Sequence, residues 1–193
     1  MSSREPVHIQ IGDKIAERFI NNVVHLTVKL ADGEMDGFGF VVGELRNKLY
    51  VVTANHVVHS DKPDMETKEV LVKFYDDEAG EPIPAELLDI ASSQLDAALL
   101  RVSKPEWYRW ERKVLSSDYR KGDKVWFIGQ SRKWIVPTDD YAGNLQNNEP
   151  GWDGQITFYI TSVKPGTSGA PLFTENGIIG MITTDNYLEA RAC

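Results

Sequence analysis

The chain has 193 residues, enough for one domain or for two small lobes that share a cleft, and 41% hydrophobic and 10% aromatic residues can supply a core. A net charge of −8 with a pI near 5.0 argues against a nucleic-acid binder, which needs a basic face to displace counterions from phosphate. The single cysteine, Cys193, excludes an internal disulfide and fits a reducing compartment or a scaffold that does without bridges.

Taken in order, residues 1–12 read as a loosely tied arm. They hold no apolar run long enough for a signal peptide or a membrane span, so a cytoplasmic protein is expected. Asp13 is placed to cap a short helix, DKIAERFINN, with Ile15 and Phe19 at i and i+4 on one face. Strands follow. VVHLTVKL (23–30) alternates, ADGEMDG is a turn, and FGFVVG (38–43) is a buried run. LYVVTA (49–54) comes after a turn at Arg46–Lys48, and EVLVKFYD (69–76) alternates again. AELLDIASS (85–93) fits a strand or a helix, and Asp96 opens AALLRVS (97–103). Short strands at regular spacing, separated by Gly, Pro and Asp turns, suggest a β-barrel. The acids Asp76–Glu78, Asp139 and Asp140 are spread along the chain and read as solvated surface.

KPEWYRWERKVLSSDYRKGD (104–123) is polar and aromatic without a clean period, which suits a linker between lobes. KVWFIGQ (124–130) starts a second strand series. It continues through Lys133–Val136, a Gly/Asn/Pro-rich loop at 142–154, QITFYITS (155–162), APLFTE (170–175) and GIIGMITT (177–184). There is no internal repeat, low-complexity tract or heptad pattern.

The chemistry centres on VKPGTSGAPL (163–172). Ser168 lies between two glycines, after a Pro-Gly pair and before an apolar run. Glycine permits positive φ and close backbone approach, so such a loop can aim N–H groups at a point beside the serine hydroxyl. A nucleophile beside converging donors is what acyl transfer requires, because its oxyanion must be stabilised where it develops. Gly-Thr-Ser-Gly is equally a plain turn, and alone it decides nothing. Two further stretches do. TANHVV places His56 after an apolar strand, and LDAALLRV places Asp96 at the head of another, giving the chain order His56, Asp96, Ser168. His56 and His59 lie three apart with Asp64 following, but without HExxH, a Cys pair or a further ligand cluster no metal or cofactor is expected.

GFGFVV (37–42), TANHVV (53–58), LDAALLRV (95–102), KGDKVWFIGQ (121–130), PGTSGAPLF (165–173) and GIIGMITT (177–184) occur in one order across nearly the whole chain. Together they resemble the trypsin-like (chymotrypsin-fold) serine peptidase family, and within it the HtrA-type and related bacterial branch. KPGTSGAP is also similar to the serine motif of flavivirus-type proteases, although TANHVV and KGDKVWFIG fit the bacterial branch better. The resemblance implies an all-β protein of two antiparallel six-stranded β-barrels with the active site in the cleft between them. An arm and short helix would occupy 1–22, the first barrel 23–103, the linker 104–120 and the second barrel 121–193. Family members usually continue with another strand stretch and a closing helix, so the second barrel is expected to be thinly closed.

For the site, the resemblance implies Ser168 as nucleophile, His56 as general base and Asp96 as its orienting partner. The N–H groups of Gly166 and Ser168, with the Thr167 amide between them, would form the oxyanion hole. The substrate pocket would have Ser162 at its floor and Thr183, Thr184 and Asp185 along its walls, with Glu189 nearby. Thr183 would also bond Asp96. A neutral floor disfavours a trypsin-like salt bridge and leans toward small or medium apolar side chains. Thr167 stands where relatives often carry an acid, and no IVGG-like start is present, so no zymogen-type activation is implied. Control would act by ordering Val163–Thr167 or Ala142–Gly154.

The expected function is a serine endopeptidase acting on a protein or peptide through an acyl-enzyme, as a domain of a larger or partner-regulated protein. The alternative is a catalytically idle module that keeps the fold to bind peptides or a partner. Neither a nucleic-acid nor a membrane partner is expected.

Overall fold

The computed structural model describes residues 11–31, 33–59, 67–75, 77, 80–92, 95–113, 115–151, 154–186 and 189–192, and for 89–92 and 184–192 the backbone only. Residues 1–10 of the expected arm, Asp64, Asp76, Glu78 and Cys193 lie outside that set.

Among the described residues the strands form two closed barrels, each of six antiparallel strands. The first comprises β1 (Val23–Leu30), β2 (Glu34–Leu45), β3 (Lys48–Ala54), β4 (Thr67–Phe74), β5 (Ile83–Ser92) and β6 (Ala97–Ser103), hydrogen-bonded in the order β1-β2-β3-β6-β5-β4 and back to β1. The alternation of VVHLTVKL follows from this closure, since one face of each strand must fill the barrel. Val24, Leu26 and Val28 are fully buried, as are Leu49, Val51 and Leu100. Of the stretch 85–93, which fits either strand or helix by sequence, residues 85–92 belong to β5, because β4 and β6 pair with that strand on both sides.

The second barrel comprises β7 (Lys124–Phe127), β8 (Gly143–Leu145), β9 (Ile156–Tyr159), β10 (Pro171–Thr174), β11 (Gly177–Asn186) and β12 (Glu189–Ala192). The last strand pairs with β11 on one side and β9 on the other, so the chain's final residues close the barrel. Three expectations are revised here. Lys133–Val136 is not a strand: Lys133 makes one isolated bridge with Gln130, and the segment otherwise supports loops. The loop expected at 142–154 contains β8, which fills the gap between β7 and β9. Most of the ADGEMDG turn is strand, since β2 begins at Glu34 and pairs with β1 from there.

The N-terminal helix also differs. α1 covers Ile11–Ala16, and a 3₁₀ turn follows at Ile20–Asn22. Asp13 is not its cap. The Ile11 and Gly12 N–H groups donate to the carboxylate of Asp139 in the second lobe, at 2.7 and 2.8 Å. The first turn of a helix has orphan donors, and here a distant side chain accepts from two of them. From that anchor the chain passes to β1 as a strap. Phe19 packs against Phe173 with tilted rings whose centres are 5.7 Å apart, the Tyr108 hydroxyl donates to the Asn21 carbonyl at 3.0 Å, and Asn22 Nδ2 donates to the Glu111 carbonyl at 3.0 Å. Strap and linker therefore hold each other along the junction of the barrels.

Candidate active site

His56 and Asp96 are brought together by strand register. β3 and β6 pair with Ala54 opposite Ala97, so the residues just past that last pair must emerge side by side. Asn55 donates its N–H to the Asp96 carbonyl at 2.8 Å. A single helical turn, α2 (Asn55–Val58), then swings His56 over the Asp96 carboxylate. The His56 main-chain N–H donates to Oδ1 at 2.9 Å, and the ring Nδ1 lies 2.6 Å from Oδ2. A carboxylate only accepts, so Nδ1 carries the proton, and in the neutral ring the lone pair is on Nε2. Asp96 sits at φ +50, a left-handed conformation that aspartate tolerates better than most residues. Side-chain exposure of 42% for His56 and 23% for Asp96 leaves the ring open to the cleft and the carboxylate mostly covered.

Ser168 comes from the other barrel, and main-chain bonds fix its loop. Its carbonyl accepts the Phe38 N–H of β2 at 2.8 Å, while the next residue, Gly169, donates to the Ile182 carbonyl at 2.8 Å. Gly169 has φ +82, and a Cβ there would run into the Phe38 carbonyl, which already accepts the Thr53 hydroxyl at 2.7 Å. Only glycine combines that conformation with that approach. Gly37 marks how close the histidine and serine segments come. A Cβ on it would stand 2.6 Å from a Val57 methyl and 3.1 Å from the Ser168 carbonyl oxygen.

The lead-in to the serine is a tight turn. Thr167 donates its N–H to the Lys164 carbonyl at 3.2 Å, with Pro165 and Gly166 (φ +83) between them. Proline second and a positive-φ glycine third is the type II arrangement. The Thr167 amide, expected among the oxyanion donors, is thus spent in closing the turn. Among the described residues, the Gly166 and Ser168 N–H groups meet no acceptor within the chain.

Of the residues expected to line the pocket, Ser162 has a buried hydroxyl with no partner among the described residues, and Thr183 is 2% exposed. The side chains of Thr184, Asp185 and Glu189 lie outside the described set, but their backbones run along β11 and β12, where Asp185 pairs with Ala190. Sequence reasoning passed over Phe38, Thr53 and Gly37, whose backbone and side chain hold the two halves of the site. The GFGF repeat, two glycines one residue apart in a buried strand, was the available signal for close approach there. Among the described residues no group of three metal-ligating side chains forms, and no helix is long and apolar enough to cross a membrane.

The family model for the trypsin-like peptidase domain matches residues 37–181. No curated protein sequence matches the chain. Among solved structures, the serine endoprotease from Yersinia pestis superposes with a TM-score of 0.71 at 18% identity, covering 96% of this chain and 62% of that one. The Rv3671c protease from M. tuberculosis is similar in its active form, with a TM-score of 0.69 at 19% identity over 100% of this chain and 87% of that chain. Its inactive form gives 0.66 at 18% identity.

Proposed function

Because the chain belongs to the trypsin-like peptidase domain family, we propose that it is a serine endopeptidase in which His56, Asp96 and Ser168 act as a triad. The observation that carries this reading is the two-point grip of Asp96 on His56, through Nδ1 and the main-chain N–H. It fixes the one tautomer in which Nε2 can accept a proton.

In this reading the Ser168 hydroxyl attacks the scissile carbonyl carbon, and its proton passes to His56 Nε2 as the new C–O bond forms. The Gly166 and Ser168 N–H groups donate to the oxyanion. Collapse of the tetrahedral intermediate breaks the C–N bond, and the His56 proton goes to the departing amine. Water then repeats the cycle on the acyl-enzyme and returns Ser168. Ser162 at the pocket floor supplies no charge, which suits small or medium apolar side chains. The chain spans 62% of the length of the Yersinia endoprotease, and we place its control in a partner or neighbouring domain that acts on Val163–Thr167.

Intact-mass measurement after treatment with a fluorophosphonate tests the triad. Wild type should gain one adduct and Ser168→Ala none, since triad members act as a unit. Equal labelling of both would remove Ser168 from the mechanism. No labelling of either would mean that the site is not assembled in the isolated chain, and labelling would then be repeated with the partner or neighbouring domain, where continued silence would favour the idle peptide-binding module.

A further inference from the structure

We propose that the Asp36–Arg132 ion pair positions the Pro165–Gly166 turn, making Asp36 and Arg132 positioning residues for the oxyanion donors. The proposal rests on the reading of Gly166 and Ser168 as those donors.

The first observation is a turn that its own residues do not favour. Gln130 and Lys133 exchange main-chain bonds in both directions, at 2.9 and 3.0 Å, around Ser131 at φ +49 and Arg132 at φ +65. Two consecutive left-handed residues define a type I′ turn, which prefers Asn-Gly. A Ser-Arg pair in that shape must be held by something outside the turn.

The outside hold is visible. Arg132 reaches from the second lobe to β2 of the first, with Nε 2.8 Å and the terminal nitrogen 2.6 Å from Asp36 Oδ2. Asp36 is placed by strand register, opposite Thr27 of β1. Its other oxygen lies 3.1 Å from Nε2 of the buried His25, although not aligned for a hydrogen bond. His25 is wedged against Phe38 and Trp134, at ring distances of 5.3 and 6.4 Å, and Trp134 Nε1 donates to the Val23 carbonyl at 2.8 Å. Burial holds His25 below its usual pKa, against the pull of Asp36. It is therefore neutral near pH 7, and the charge of Asp36 is left to Arg132.

The held turn is the wall of the catalytic turn. The open side of Gly166 faces Ser131, where a Cβ would stand 3.7 Å from the Ser131 nitrogen and 3.9 Å from its Cα. Asp36, Ser131, Arg132, Pro165 and Gly166 line one cleft of about 340 Å³. Asp36 is also two residues before Phe38, whose N–H holds the Ser168 carbonyl. One strand thus sets the serine directly and the neighbouring turn through Arg132. A donor that drifts from the oxyanion loses its effect steeply, because the gain depends on preorganised placement.

The test uses Arg132→Gly, which suits the turn's φ but removes the pair, with Asp36→Asn, Arg132→Lys and wild type beside it. With a peptide substrate, Arg132→Gly and Asp36→Asn should lose about tenfold in kcat while KM stays within about twofold, and Arg132→Lys should recover part of the loss. Hydrogen exchange at 163–169, followed by mass spectrometry, should quicken in Arg132→Gly. A purely structural role would lower thermal stability without this split. Wild-type kcat and unchanged exchange in Arg132→Gly would overturn the proposal. If wild type proves as inert as Ser168→Ala, the reading of the site fails. The exchange rates then decide this proposal alone, faster supporting it and unchanged refuting it.

Discussion

His25 and His56 show how placement divides one residue type between two tasks. His56 stands at the mouth of the cleft with Nδ1 2.6 Å from Asp96 Oδ2, the placement that the proposed triad requires. His25 is 6% exposed, and desolvation outweighs the attraction of Asp36, so its pKa lies below the ordinary value of 6.5. That has a stability consequence with a definite sign. Above pH 6.5 both folded and unfolded chains hold His25 neutral, and its contribution is flat. As pH falls below 6.5 the unfolded chain takes up the proton first, so stability drops by at most about 1.4 kcal/mol per pH unit until the folded pKa is reached. Denaturant midpoints measured from pH 7.5 to 5 should show this slope in wild type and a shallower one in His25→Gln. Equal slopes would mean that His25 is not the group responsible.

Among the elements, the strap depends on α1, whose first N–H groups are accepted by Asp139. Burial raises the Asp139 carboxyl, but the Gly12 and Ile11 N–H groups outweigh it and leave the pKa below its ordinary value. This contribution is present above the ordinary carboxylate range and lost as pH falls through the lowered value. Asp139→Ala should cost about 1 kcal/mol, the usual loss for a missing cap, and lower Tm by about 2–4 °C in a chain of this size. A calorimetric scan that finds no change would show the strap to be held by Phe19 and Tyr108 instead. Asp139 also explains why the helix start was misplaced from sequence: its acceptor stands more than a hundred residues away. Most strands of the first barrel were legible because alternation and glycine punctuation extend over seven residues or more. β8 has three residues, too few to carry a period, and KWIV looks like a strand although only one bridge forms there. At the site, the order and strand-end positions of His56 and Asp96 were legible. The Asp36–Arg132 pair was not, because neither residue has a local pattern that names the other.

For the molecule as a whole, the two barrels do not behave as separable bodies. Buried residues of both form one apolar cluster that includes Phe38, Trp126 and Phe173, and bonds from Phe38 to Ser168, Trp134 to Val23 and Arg132 to Asp36 cross between them. Unfolding should be one cooperative transition, with calorimetric and van't Hoff enthalpies equal; two resolved transitions would show that the barrels melt independently. The crossing bonds also bear on how such a chain tolerates change over long times. Phe38 N–H to the Ser168 carbonyl and Trp134 to the Val23 carbonyl each use at least one main-chain partner. A main-chain carbonyl is present whatever residue occupies the position, and an N–H is present in all but proline. Mutation can replace the side chains at Ser168 or Val23 without deleting the acceptor that holds the lobes in register. Alignment of the two halves is in that sense written in an alphabet that substitution barely edits, which is how a shared architecture can outlast nearly all resemblance in sequence.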